Sequence, residues 1–105
     1  MDDFVYRPII FIPRNSLFSL GKLYFTPGAI EAFQQEGIPP AGNVIARHAT
    51  GDWGDMDASD KALNDAAIKN GGRIFSAYQL TDDIRIWVIT EWDRSATTVL
   101  LPSEY

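Results

Sequence analysis

The chain has 105 residues, no cysteine and a formal net charge of −5, which suits one domain with one hydrophobic core and excludes disulfides, thiolate metal sites and a cysteine nucleophile. The charge is uneven, because residues 51–105 hold five basic and ten acidic side chains whereas residues 1–50 hold four of each. Since DNA and RNA are bound through a cationic surface, this distribution argues against direct nucleic-acid binding and favours a protein partner with a basic surface.

Residues 1–19 predict an N-terminal arm. Turn signals at Pro8 and Pro13 enclose the apolar run IIFI, residues 9–12. The run is too short to span a bilayer, and with two aspartates before it the segment does not resemble a signal peptide. We therefore expect no membrane partner and, given the absence of cysteine, a cytoplasmic protein. Apolar side chains on an arm that does not fold back need a partner, so a homodimer through the arm is one expectation.

One strand and three short helices are predicted next. LGKLYF, residues 20–25, alternates as a strand does. Thr26 offers a cap and Pro27 a preset first turn for a helix that ends at Gly37. The predicted helices cover residues 27–36, about 40–49 after Pro39-Pro40, and a segment from Asp57 or Ser59 to Asn70-Gly71-Gly72. The apolar stripe expected on the third helix consists of Leu63, Ala66 and Ala67.

The sequence pattern changes to a period of two after residue 72. Three runs rich in β-branched and aromatic residues are joined by short turns, which predicts an antiparallel meander. They occupy residues 73–80, 84–91 and 96–101. With residues 20–25 as a fourth strand, residues 20–105 are expected to form a single α+β domain, in which three short helices pack on a small antiparallel sheet of three to four strands.

The stretch RHATGDWGD contains the only histidine of the chain and allows two interpretations. His48 with Asp52 and Asp55 would bring an imidazole and carboxylates together for proton or metal chemistry. Strong histidine–metal signatures repeat histidine at helical spacing, however, and His48 falls on the apolar face of the second predicted helix. The favoured interpretation is structural: His48 is partly buried and bonded to a backbone group, the aspartates cap glycine turns, and Trp53 packs into the core. We therefore predict neither a catalytic nor a metal-binding role here.

A second cluster, EWDRS, combines Trp92, Asp93 and Arg94 in the turn between the last two predicted strands. Paired carboxylates can divide acid and base roles, but a short turn also favours Asp93 as a cap for nearby amides. If Arg94 reaches back to Asp52 or Asp55, its guanidinium ties this turn to the GDWGD corner by a charge-assisted bond. The structural interpretation is again the favoured one.

Other motifs that carry chemistry are absent from the sequence. There is no G-x-S-x-G elbow, and the glycine pair after the third helix precedes a strand, which reverses the order required of a phosphate-binding loop. Basic and aromatic residues do not form a nucleic-acid strip, because alternation places Arg85 and Trp87 on one face but Tyr78 on the opposite face of its strand from Arg73. We therefore predict no cofactor.

Three segments, RHATGDWGD, GGRIFSAY and above all WVITEWDRSATTVLLPSEY, resemble a family of small proteins encoded on plasmids, genomic islands and phages. Its members are often labelled plasmid-related and sometimes labelled as a subunit of a type I restriction methylase. The resemblance covers residues 20–105, and Trp92 departs from it where the family has a small residue. It implies a mobile genetic element as the source and carries over no catalytic residue, and the absence of a cofactor-binding glycine motif leaves the methylase label without support.

These features define one leading hypothesis and two alternatives. The leading hypothesis is a small acidic protein-binding module, encoded on a mobile genetic element, that inhibits a host defence system of the anti-CRISPR or anti-restriction type by stoichiometric binding of a host protein with a basic surface. The predicted binding residues are Asp52, Trp53, Asp55, Asp57, Asp60, Trp92, Asp93 and Arg94. The alternatives are a small nuclease or toxin-like hydrolase that uses His48 and nearby carboxylates, and a homo-oligomeric regulatory protein assembled through the arm.

Overall fold

A computed structural model describes residues 15–105, apart from the side chain at position 41. The elements in chain order are β1 (Lys22–Phe25), α1 (Pro27–Glu36), a π-helical segment (Ala41–Ile45) that continues into α2 (Ala46–Ala49), α3 (Ala58–Asn70), β2 (Ile74–Gln79), β3 (Arg85–Thr90), β4 (Ala96–Leu100) and a closing 3-10 turn (Pro102–Glu104). The predicted α+β class, with helices packed on a small sheet, is confirmed.

The sheet has four strands in the order β1-β4-β3-β2. The pairs β2–β3 and β3–β4 are antiparallel, so the predicted meander is confirmed. β1 joins as the fourth strand but runs parallel to β4, with Phe25 opposite Val99, which makes the sheet mixed and not purely antiparallel. The parallel pairing follows from the chain path, because β1 leads into the helices and its partner arrives only after the meander has fixed the direction of β4.

One face of the sheet is covered by α1, the π-helical segment and α2. α1 begins where the sequence predicts, with Thr26 Oγ1 accepting a hydrogen bond from the amide of Ala29 at 3.2 Å, and it ends at Gly37 with a φ of 65°. Its buried side chains meet alternate residues of the strands in one apolar core. The residues of this core are Phe25, Ala29, Ala32, Phe33, Val44, Ile45, Tyr78, Ile86, Val88 and Val99.

α3 packs beside β2 at the edge of the sheet, and the prediction of its buried face was wrong. Leu63 is 66% exposed and Ala66 is exposed, while Asn64 and Ala67 are buried. The Asn64 amide nitrogen donates to the carbonyl of Phe75 at 2.7 Å, and its oxygen accepts from the amide of the same residue at 3.1 Å. Because this polar side chain completes the backbone bonding of an edge strand, it turns the helix away from the apolar stripe that periodicity predicts.

The predicted N-terminal arm lies mostly outside the described residues, since residues 1–14 are not among them. Within its last residues, the amide of Leu17 donates to the carbonyl of Ala49 at 2.8 Å, and the Phe18 ring packs edge-on against His48 at 5.3 Å. The homodimer through the arm stays a prediction. Among residues 15–105, no helix is both long and apolar enough to cross a membrane.

Candidate functional site

His48 lies in the core and not in an open site. Its side chain is fully buried, with Nδ1 2.5 Å from Ser76 Oγ and Nε2 2.8 Å from Thr90 Oγ1. Burial lowers the pKa of His48 to about 3, which keeps the ring neutral. The structural interpretation is therefore confirmed, but the burial is complete and the partners are side-chain hydroxyls, not the backbone group that the sequence analysis expected.

The carboxylate of Asp52 is held away from His48 by Arg47. Arg47 Nε donates to Asp52 Oδ2 at 2.6 Å, and the amide of Gly54 donates to Oδ1 at 3.1 Å. The hydrogen bond from Arg47 is the largest of the effects that lower the pKa of Asp52. The Arg47 guanidinium also lies over the Tyr78 ring, 4.5 Å from its centroid. Asp52 thus fixes the corner of the chain, as the capping interpretation predicts.

Trp53 and Gly54 close the outer edge of β2. Trp53 is 4% exposed, its indole N–H donates to Asp65 Oδ1 at 3.0 Å, and its carbonyl accepts from the amide of Ala77 at 3.2 Å. Gly54 has a φ of 75° and passes so close to the carbonyl of Ala77 that a Cβ there would clash with it. Trp53 packs into the core as predicted, and it therefore offers no exposed surface for the binding role also predicted for it.

The turn between β3 and β4 does not reach the GDWGD corner. Arg94 donates through Nη2 to the carbonyl of Ala67 at 2.8 Å and through Nη1 to the carbonyl of Gly72 at 2.5 Å. Its guanidinium holds the C-terminal end of α3 and forms no ion pair with Asp52 or Asp55, the partners that the sequence analysis considered. The reason is proximity: the adjacent helix end presents two bare carbonyls.

Asp93 and Trp92 lie in the same turn as Arg94. Asp93 Oδ1 accepts from the amide of Ser95 at 3.0 Å, and hydrogen bonds from the side chain and amide of Ser95 lower the pKa of Asp93. Trp92 is 69% exposed. This turn follows the end of β3 opposite to Arg85, so Trp92 and Asp93 are separated from the acidic residues near the start of α3.

The most open concave surface is a groove of about 610 Å³ between α3 and the sheet face that α1 does not cover. Its floor consists of Phe75 and Ala77 from β2 and Trp87 from β3. The rings of Phe75 and Trp87 are 4.8 Å apart, and the Tyr105 ring meets Trp87 edge-on at 5.7 Å. Leu63, the exposed leucine of α3, forms part of the wall. We call this surface the α3 groove.

Charged side chains surround the aromatic floor of the α3 groove. Asp55 Oδ2 accepts from Arg85 Nη1 at 2.8 Å, so these two charges offset each other. Asp57 caps α3 by accepting from the amide of Asp60 at 2.8 Å. Arg73 donates to the hydroxyl of Tyr105 at 2.8 Å. The groove therefore brings together Asp55, Asp57 and Asp60 of the predicted binding residues, and none of the others lines it.

Sequence reasoning missed the apolar part of this groove. Alternation already placed Trp87 on the face opposite the buried Ile86 and Val88, and it placed Phe75 and Ala77 on the same face. The signal was thus a second apolar face on β2 and β3 with no helix assigned to cover it.

No three histidine, aspartate or glutamate side chains among residues 15–105 come close enough together to hold a metal ion. Comparisons of the chain with models of protein families, with curated proteins and with solved structures gave no match. The resemblance to plasmid-related proteins therefore stays a prediction.

Proposed function

We propose that this chain is a stoichiometric protein-binding module that contacts a basic surface of its partner, and that the partner belongs to a host defence system. The observation that carries the proposal is the α3 groove, where the exposed carboxylates of Asp57 and Asp60 stand beside a partly exposed aromatic floor. The source on a mobile genetic element, and with it an anti-CRISPR or anti-restriction role in the cytoplasm, follows from the sequence resemblance alone.

The electrostatics of the chain support a basic partner. The excess of negative charge falls in residues 51–105, which include the acidic residues of the α3 groove. Opposite surface potentials speed association and disfavour partners of the wrong sign. Aromatic side chains such as Phe75 and Trp87 are the residue types on which binding energy commonly concentrates. The groove thus offers both components of a contact site in one place.

The hydrolase alternative gains no support from the geometry of the described residues. His48 has both ring nitrogens bonded to hydroxyls in the core, and its lowered pKa leaves it neutral. Asp52 and Asp55 are engaged by arginines at the surface. No described carboxylate is therefore in place to pair with the imidazole as acid and base.

A phage plating assay tests the inhibitor proposal. The full chain is expressed in cells that carry a CRISPR or a restriction system, and we expect the efficiency of plating to rise by at least tenfold. The double variant Asp57→Asn with Asp60→Asn should lose this rise, because it removes two charges while an asparagine at position 57 keeps the helix cap. The matched control Glu31→Gln with Glu36→Gln removes the same charge from α1, on the other side of the sheet, and should retain it.

Purification of the inhibited effector completes the test. The complex should form at a 1:1 ratio in analytical ultracentrifugation and weaken steeply between 0.1 and 0.5 M salt. An unchanged plating efficiency with both kinds of defence system, or equal activity of the two double variants, would overturn the proposal.

A further inference from the structure

We infer that the α3 groove receives a segment of the partner protein in which a lysine or arginine lies next to a large apolar side chain. This inference rests on the proposed function, since it names the feature of a basic partner that the groove recognises. It depends on two parts of the groove, one apolar and one anionic, that are adjacent on α3.

The apolar part is formed by Leu63, Phe75 and Trp87. The two rings are half-buried and tilted 60° to each other, and Leu63 faces them from the helix with 66% of its surface exposed. A large apolar side chain placed between them would remove apolar surface from water on three sides. Large exposed leucines beside exposed aromatic rings are a mark of contact surfaces.

The anionic part is formed by Asp57 and Asp60. The side chain of Asp60 makes no hydrogen bond or ion pair within the described part of the chain, and Asp57 accepts only the capping hydrogen bond from the Asp60 amide. Asp55 differs, because Arg85 already compensates its charge. The groove thus presents two carboxylates without a cation, and a cation from the partner would supply the missing charge.

The spacing of these two parts sets the pattern of the partner segment. Asp60 and Leu63 are three residues apart on α3, so their Cβ atoms are about 5–6 Å apart on one helix face. A partner side chain on each must therefore come from positions on the same side of its own backbone, such as residues i and i+2 of an extended segment. The expected pattern is apolar-x-basic or basic-x-apolar.

The arrangement disfavours a nucleic acid in the same groove. A base could stack on Trp87, but its phosphates would meet Asp57 and Asp60. The two arginines of the groove are already engaged, Arg85 by Asp55 and by Gln79 at 3.1 Å, and Arg73 by Tyr105. Neither is therefore free to neutralise a phosphate without losing an internal partner.

Nuclear magnetic resonance of the isotope-labelled full chain tests the inference with three synthetic peptides. These are acetyl-Leu-Ser-Arg-amide and two matched controls, acetyl-Leu-Ser-Glu-amide and acetyl-Ala-Ser-Arg-amide. We expect saturable shifts of the Trp87 indole N–H and of the Asp60 and Leu63 amides with the first peptide, and at least tenfold weaker binding of either control. Equal binding of the three peptides, or shifts confined to other surfaces, would overturn the inference.

Two double variants locate the cationic subsite. Asp57→Asn with Asp60→Asn should weaken the binding of acetyl-Leu-Ser-Arg-amide at least fivefold, whereas Glu31→Gln with Glu36→Gln should change it less than twofold. An amide fingerprint spectrum of each variant verifies that the fold is kept. Identical affinities for the two variants would remove the anionic part of the inference.

Other occupants of the groove are distinguishable in the same spectra. Groove resonances that move with protein concentration would assign it to a second copy, and nuclear Overhauser contacts from Trp87 to residues 1–14 would assign it to the chain's own N-terminal segment. Either result overturns the inference. If the peptides do not bind but the plating assay succeeds, the groove inference fails alone, whereas peptide binding without any plating effect counts against the inhibitor proposal.

Discussion

The Nε2 atom of His48 donates its hydrogen to Oγ1 of Thr90, 42 residues further along the chain, at 2.8 Å. The direction follows from counting hydrogens. The Thr97 hydroxyl donates to the carbonyl of Leu20 at 2.7 Å, and that oxygen can only accept. The hydroxyl of Thr90 must then donate to Thr97, at 2.7 Å, which leaves it an acceptor for His48. The remaining nitrogen, Nδ1, accepts from Ser76.

We predict that this buried ring makes stability depend on pH. Because the folded pKa of His48 is about 3 and the unfolded value is 6.5, the unfolded chain binds one more proton between these pH values. Stability is therefore full above pH 6.5 and falls as the pH decreases toward 3. Between pH 7.5 and 5.5 the free energy of unfolding should decrease by about 1.4 kcal/mol, measured by urea denaturation.

The variant His48→Gln isolates this effect, because its amide can still donate to Thr90 but does not titrate. It should be less stable at pH 7.5, since Ser76 loses its acceptor, and its free energy of unfolding should change little down to pH 5.5. A wild-type protein without a slope in this range, or a variant with the same slope, would show that the histidine is protonated or solvated in the folded chain.

A second prediction concerns the closest backbone contact of the GDWGD corner. Gly54→Ala should lower the free energy of unfolding by about 3 kcal/mol or more, because a left-handed conformation costs about 1–2 kcal/mol for alanine and the new Cβ meets the Ala77 carbonyl and the Tyr78 ring. The carbonyl of Ala77 cannot retreat without loss of its hydrogen bond to the amide of Asp55. Chemical denaturation measures the change.

Gly37→Ala provides the matched control for this glycine. Its φ of 65° is similar, but no atom lies within 4 Å of the position that its Cβ would occupy. Its cost should therefore be only the conformational one, about 1 kcal/mol. Equal losses for the two substitutions would mean that the corner does not lie against β2 as described.

The features that the sequence predicted are those with local causes. Thr26 and Gly37 determine both ends of α1 within a few residues, and alternation alone identifies β2, β3 and β4. The buried face of α3 depends instead on a contact between Asn64 and Phe75, and the parallel pairing of β1 depends on β4, more than seventy residues later. Such long-range contacts leave no periodic signal in the chain.

The candidate site divides in the same way. Asp55, Asp57 and Asp60 could be named from the sequence because acidic residues near a helix start are recognisable there. Phe75 and Trp87 are ordinary strand residues by composition, and they become a groove floor only when α3 packs at the edge of β2. Arg94 was assigned to the wrong partners because the carbonyls that it binds belong to a helix end more than twenty residues away.

A third prediction tests that assignment of Arg94. Arg94→Lys should lower the free energy of unfolding by about 2 kcal/mol, because one ammonium group cannot replace the two nitrogens that bond Ala67 and Gly72. Arg47→Lys, which changes a half-exposed ion pair with Asp52, should cost less than about 1 kcal/mol. Equal costs, or a loss for Arg94→Lys that disappears in 1 M salt, would point to an ion pair in place of the bonds to the helix end.

A fourth prediction concerns Glu104, which joins the end of the chain to the start of α1. Its carboxylate accepts from the amide of Gly28 at 2.9 Å, from the amide of Leu101 at 2.9 Å and from the hydroxyl of Thr26 at 2.5 Å. Glu104→Ala should therefore lower the free energy of unfolding by about 2 kcal/mol. Gly28→Ala should cost a similar amount, because its new Cβ would lie 2.7 Å from Oε2 and displace the carboxylate.

The double variant decides whether these two effects share one cause. With Glu104 already replaced by alanine, the space beside Gly28 is vacant, and alanine at position 28 has the higher helix propensity. Gly28→Ala should then stabilise the chain by up to about 1 kcal/mol, a reversal of its sign in the native background. Additive losses in urea denaturation of the four proteins would contradict the contact, since independent sites do not change the sign of each other's effects.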